Sequence, residues 1–162
     1  MLAQTILSLS CLLPLAFALA AQPEPSTKVL ASAEHEAGGV KVELLEVKRD
    51  SPTVVTARWR YRNETAAAKR LTRERTGSVD AYRLSLNSYL LDETRQVKYP
   101  VSRESAHHEP VASRNGNTNS YITIGPKAII NVWAKYIVPE TTSTVTVTIE
   151  GVLPFSGIAI TH

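Results

Sequence analysis

Residues 54–62 read VVTARWRYR. Val55, Ala57, Trp59 and Tyr61 alternate with Thr56, Arg58, Arg60 and Arg62. A strand sends successive side chains to opposite faces, so this order makes one apolar face and one cationic face. A helix would scatter both sets around its circumference. The stretch is therefore predicted as a half-buried strand, with Trp59 as a core anchor.

Working outward, the same period of two recurs. Residues 40–48 place Val40, Val42 and Leu44 on one side. Residues 83–91 place Leu84, Leu86, Ser88 and Leu90 on one side, and Asp92-Glu93-Thr94-Arg95 reads as a turn into a return strand at 96–101. Residues 129–138 are long and apolar, 143–149 alternate Thr with Val and Ile, and 155–160 close the chain. Pro139 and Pro154 punctuate the last three, as proline does at strand ends. The predicted core includes Val42, Leu44, Val55, Trp59, Tyr61, Leu86, Val132, Val147 and Phe155. Trp133 shares a face with Asn131 and Lys135, which points to an edge rather than the centre. Two stretches are less regular. Residues 65–76 (TAAAKRLTRERT) read as either a helical turn or a basic loop. Residues 102–127 are long and polar, with a short strand expected at 121–124 and a turn at Asn115-Gly116. No segment carries a helical period long enough for a core helix. About seven strands at short spacing predict an all-β fold, an antiparallel β-sandwich.

The N-terminal end is of another kind. Residues 6–21 (ILSLSCLLPLAFALAA) form an apolar run interrupted by Pro14, and the first charge in the chain is Glu24. A secretory leader needs about 7–15 apolar residues and a membrane span about 20. With Ala18-Leu19-Ala20 as the small-x-small site, residues 1–20 are expected to be a signal peptide, although no Lys or Arg precedes the apolar run. Residues 21–39, rich in Pro, Ala, Ser and Glu, are expected as a flexible spacer, and 40–162 as the domain. Ser8-Leu9-Ser10-Cys11 puts serine where a lipid-attachment motif has an aliphatic residue, so soluble export to the periplasm or medium is expected over lipidation. Cys11 and Met1 are the only Cys and Met in the chain. After cleavage no thiol remains, which excludes disulfides, Fe–S clusters, Cys-based zinc sites and Cys nucleophiles.

Chemistry-bearing patterns are few. There is no Gly-x-Ser-x-Gly elbow, phosphate-cradling glycine loop or His-Glu-x-x-His. Asp92-Glu93 is an adjacent carboxylate pair, but neighbours on a strand or turn point apart, so no acid–base pair and no catalytic residue is expected. His107, His108 and Glu109 are suitable metal-ligand types at a spacing that does not converge on a regular element, so no metal or cofactor is expected. Asn63-Glu64-Thr65 matches the N-glycosylation triplet. The charge balance is 18 Lys+Arg against 15 Asp+Glu, a net +3. Within it, Arg58, Arg60 and Arg62 form a row on one strand face, and Lys69, Arg70, Arg73 and Arg75 follow in the next segment. Such a cationic surface suits an anionic polymer or an acidic protein. Alternatively, its charges pair with Glu43, Glu46, Glu64 or Glu74 across neighbouring strands.

Residues 42–62 (VELLEVKRDSPTVVTARWRYR), 89–101 (YLLDETRQVKYPV) and 129–160 together resemble an Ig-like β-sandwich module of bacterial envelope proteins. The carrying motifs are Trp59 to Asn63, Tyr89 to Asp92, Tyr99-Pro100-Val101, Val132 to Tyr136 and Pro154 to Ile160. The resemblance implies an exported module found alone or ahead of an OmpA-like peptidoglycan-binding domain, and the chain ends at His162, just past the last expected strand. It carries no catalytic residues to transfer. The family's Pro-Gly-Glu stands here as Gly125-Pro126-Lys127, and the basic 65–76 segment and the 102–120 loop have no counterpart in it. The expected function is a non-enzymatic binding or accessory protein of the cell envelope. Its contact would be an envelope protein or an anionic wall polymer, through Arg58, Arg60, Arg62, Arg70, Arg73 and Arg75, without nucleic acid and without membrane insertion. An alternative is a periplasmic inhibitor or immunity protein that blocks a hydrolase through the 102–120 loop.

Overall fold

The computed structural model describes residues 28–75, 79–116 and 120–162, without the side chains of Val79 and Asp80. The expected signal peptide, Cys11 and the beginning of the expected spacer lie outside the described residues. Among the described residues ten strands form: β1 (Ala31–Glu34), β2 (Val40–Ser51), β3 (Val54–Asn63), β4 (Lys69–Arg70), β5 (Tyr89–Asp92), β6 (Val97–Pro100), β7 (Thr123–Ile124), β8 (Ile129–Ile137), β9 (Thr144–Thr148) and β10 (Phe155–Ala159). They build two four-stranded antiparallel sheets, ordered β1-β2-β3-β8 and β10-β9-β5-β6, and a small β4-β7 pair. The fold is all-β.

The alternation read from residues 54–62 is realised in β3. Val55, Ala57, Trp59 and Tyr61 are buried, whereas Arg58, Arg60 and Arg62 face out. In β2 the register shifts twice, after Leu44 and after Arg49. Val40, Val42 and Leu44 point inward, a bulge leaves Leu45 without a cross-strand partner, and Val47 and Arg49 then take the inner positions. Leu90, Val145, Val147 and Phe155 of the second sheet join Val42, Leu44, Val55, Trp59, Tyr61, Val132 and Tyr136 of the first in one apolar cluster. Leu86 is only half buried, at its margin. Trp133 is half buried on the outer face, opposite Arg58.

Three expectations need correction. The expected spacer contributes β1, paired with β2 from Ala31↔Leu44 to Glu34↔Lys41, so the sheet begins before Val40. The strand expected over 83–91 starts only at Tyr89; Val79–Tyr82 is a 3-10 turn and Arg83–Leu86 one helical turn, α1. Hydroxyl groups explain the change. Ser85 Oγ donates to the Tyr82 carbonyl at 2.8 Å and Ser88 Oγ donates to the Ser85 carbonyl, closing local turns in place of a ladder. Finally, of the segment expected as a helical turn or basic loop over 65–76, the described residues 65–75 hold neither a helix nor a pure loop, because Lys69 and Arg70 pair with Ile124 and Thr123.

Candidate functional site

The outward arginines of β3 meet the outward acids of β2, because the register sets Arg60 opposite Glu43 and Arg58 opposite Glu46. Arg58 Nε bonds Glu46 Oε2 at 3.0 Å, and Glu43 Oε2 takes both Arg60 Nε and, at 3.4 Å, Arg62 Nη2. Lys135 Nζ on β8 lies 3.1 Å from Asp50 Oδ2. Burial would raise the Glu43 carboxyl, but the hydrogen bonds and charges of Arg60 and Arg62 outweigh it and hold the group below its ordinary range. The arginine row is thus a ladder of ion pairs along the sheet.

The basic segment after β3 is built differently. Asn63, the last residue of β3, is buried, and its Nδ2 donates to the carbonyls of Ala67, Ile124 and Gly125. Its Oδ1 accepts the Thr65 amide at 3.0 Å. This amide ties the segment to the β7–β8 turn, and it leaves no free Nδ2 for a glycan on the 63–65 triplet. The pairing of β4 with β7 then continues one step, with the Leu71 amide donating to the Ile122 carbonyl and the Ile122 amide to Thr72 Oγ1. Tyr121 consequently sits among the arginines. The Arg70 guanidinium carbon lies 4.5 Å from its ring centroid and that of Arg75 5.9 Å away. Cation–π contact fixes each guanidinium while leaving its edges free for bidentate acceptors. Among the described residues neither Arg70 nor Arg75 has a carboxylate partner.

Beside this pair lies a cleft of about 200 Å³, lined by His35, Glu36 and Ala37 of the β1–β2 turn and by residues 70–73. Arg73 Nη2 bonds Glu36 Oε2 at 2.8 Å. His35 is 4 % exposed; its ring stands edge-on to Tyr61 at 5.7 Å and its Nδ1 accepts the Ala37 amide at 3.1 Å. Gly38 and Gly39 both have φ of +69°, the left-handed conformation that lets the turn close. Burial pushes the His35 imidazole below its ordinary value, against the raising influence of Glu36 and Glu150.

The remaining candidates are placed elsewhere. His107 and His108 are exposed in a turn, and Glu109 Oε2 accepts the Tyr82 hydroxyl at 3.1 Å. Among the described residues no three His, Cys, Asp or Glu side chains converge on a metal position. Much of the loop expected as an inhibitory element lies along the outer edge of β8, with Ala112 bridging Ala134 and the Lys135 amide donating to the Val111 carbonyl. Residues 117–119 of that loop lie outside the described residues. Among the described residues, no helix is long and apolar enough to cross a membrane.

The sequence pattern marks Arg70, Arg73 and Arg75 as cationic candidates but does not mark His35, Glu36 or Tyr121. A two-residue strand has no period to read, so nothing local linked Tyr121 to Arg70. Gly38-Gly39 was the one visible sign that His35 and Glu36 belong to a tight turn. Compared with models of known protein families, with curated proteins and with solved structures, the chain matches none.

Proposed function

We propose that this chain is an exported, non-enzymatic binding protein of a bacterial cell envelope, built on an Ig-like β-sandwich, and that it grips an anionic wall polymer through Arg70 and Arg75. One observation carries the reading. Each arginine of the β3 row is paired with Glu43 or Glu46, whereas Arg70 and Arg75 lie against Tyr121 with no acid partner among the described residues. Pre-positioned guanidinium groups lose little side-chain freedom on meeting carboxylate or phosphate, so their attraction survives as binding. The apolar leader of residues 6–20 supports export, and two antiparallel sheets sharing one core are compatible with the sandwich.

Sedimentation with purified cell-wall sacculi that retain their anionic polymers tests this directly. Reversing both charges (Arg70→Glu with Arg75→Glu) is expected to abolish co-sedimentation, and in wild type the binding is expected to weaken steeply with salt. Undiminished binding of the double variant would refute the reading. Loss of wall binding by wild type after the anionic polymers are stripped, with recovery on their return, would complete the support.

A further inference from the structure

We propose that His35 acts as a pH-operated latch on the cleft: neutral, it holds Glu36 over Arg73, and protonated, it releases Arg73 to the bound anion. The inference rests on the anion-binding reading of Arg70 and Arg75.

The latch is a matter of proton positions. With Nδ1 accepting the Ala37 amide, the single proton of the neutral ring sits on Nε2. Adding a proton to Nδ1 sets an N–H against the Ala37 N–H at 3.1 Å, two donors with no acceptor between them. The ring has no room to turn away. Tyr61 stands against one side, and Gly151 is so close that a Cβ there would lie 2.6 Å from Nε2. The imidazolium is therefore expelled together with its turn.

That turn carries the acid that neutralises Arg73. The Glu36 amide donates to the Gly151 carbonyl at 2.8 Å, and the His35 amide to the Val40 carbonyl at 2.8 Å, so backbone and side chain are positioned as one unit. The charged and titratable groups facing His35 are Glu36 on its own turn, Glu150 beyond β9 and Tyr61 on β3, whose ring meets the imidazole edge-on. Glu150 is itself held by Arg83 at 2.9 Å and by Asn87 at 2.9 Å, which keeps it from following the ring. Arg70 and Arg73 line the opposite wall of the cleft. Opening thus adds a third cation to the two already on Tyr121. By linkage, an anion that prefers the open turn also favours proton uptake by His35.

Long-chain inorganic polyphosphate, whose internal charges do not change between pH 7.5 and 5.5, serves as the probe with the full chain at fixed ionic strength. Affinity is expected to rise about 5–10-fold from pH 7.5 to 5.5, in the ordinary range of allosteric coupling. In His35→Asn, which keeps an acceptor for Ala37 but cannot charge, the ratio of the two affinities is expected to fall to about one. Glu36→Gln is expected to raise affinity at pH 7.5 and to shrink the ratio, and it keeps the test available should the histidine variant fail to fold. A wild-type ratio in His35→Asn, or no change in Glu36→Gln, would overturn the latch. If Arg70→Glu with Arg75→Glu binds polyphosphate normally, the anion reading fails. Hydrogen exchange at the Ala37 amide then still decides the latch: faster at pH 5.5 in wild type but not in His35→Asn, after correction for intrinsic rates, supports it, and equal behaviour refutes it.

Discussion

Arg49 carries more of the fold than its place near the end of β2 indicates. The bulge at Leu45 turns it inward, where it is 8 % exposed. Its guanidinium donates to the carbonyls of Pro52, Val138, Pro139 and Thr142, at 2.8, 3.1, 3.1 and 2.7 Å. One side chain therefore joins the β2–β3 turn to the β8–β9 turn. Arg49→Ala leaves those carbonyls without their donor and is expected to cost about 2–4 kcal/mol, read from urea unfolding midpoints. Arg49→Lys should recover only part, since a single ammonium cannot span four acceptors. A loss below about 0.5 kcal/mol in Arg49→Ala would contradict the bonding described. Nothing in the local sequence VKRDS marks this arginine as buried; the strict alternation would have put it outside. Trp59, by contrast, is fully buried as its own stretch predicts, although its Nε1 has no hydrogen-bond partner among the described residues.

At the scale of elements, ionic state and packing act together. Glu43, Asp50, Asp92 and Glu150 all have carboxyl values held below the ordinary range. For Asp92 the leading cause is the Arg95 amide, helped by the Arg95 and Thr142 side chains, and for Glu150 it is Arg83. A carboxylate depressed in the folded state stabilises fully above its unfolded value, 4.5 for Glu and 3.8 for Asp, and loses that contribution as pH falls through the folded value. His35 is lowered too, so the unfolded chain takes up its proton first. Its cost starts as pH drops below 6.5 and grows until the folded value is reached. Urea midpoints are therefore expected to fall in two stages on acidification, the first below pH 6.5 and the second below 4.5. The first stage should disappear in His35→Asn. Constant stability from pH 7 to pH 5 would contradict this assignment of the buried imidazole.

The β3 ladder has its own test at this scale. Removing Glu43 (Glu43→Ala) frees Arg60 and Arg62, so this face should acquire affinity for polyphosphate that it lacks in the wild type. The substitution also leaves Arg60, 16 % exposed, without its partner and is expected to cost about 1–3 kcal/mol. Unchanged polyphosphate retention on the Arg70→Glu, Arg75→Glu background, with and without Glu43→Ala, would show that pairing does not silence the row. The choice between a binding row and a paired row could not be made from residues 54–62 alone. It depends on the register with β2, and a bulge at Leu45 sets that register at Glu46.

For the whole molecule, the long strands were legible because each buries one face. β2, β3 and β8 keep Val42, Leu44, Val55, Trp59, Tyr61 and Val132 inside, and the second sheet adds Val147 and Phe155. What escaped was set by contacts distant in sequence or by side chains that bond their own backbone. Ala31–Glu34 is a strand only because β2 offers it a partner, and serine hydroxyls wind residues 83–86 out of the strand that their leucine spacing implied. The candidate site falls in the first class. It joins the β1–β2 turn, residues 70–75 and Tyr121, three pieces that no local pattern connects.

Backbone amide shifts of isotopically labelled protein, followed while polyphosphate is added, would locate the contact surface without prior assumption. Anion binding at Tyr121 predicts the largest changes at Arg70, Arg73, Arg75, Tyr121 and the His35 to Ala37 turn, with β3 quiet from Arg58 to Arg62. Shifts concentrated on β3 would contradict it.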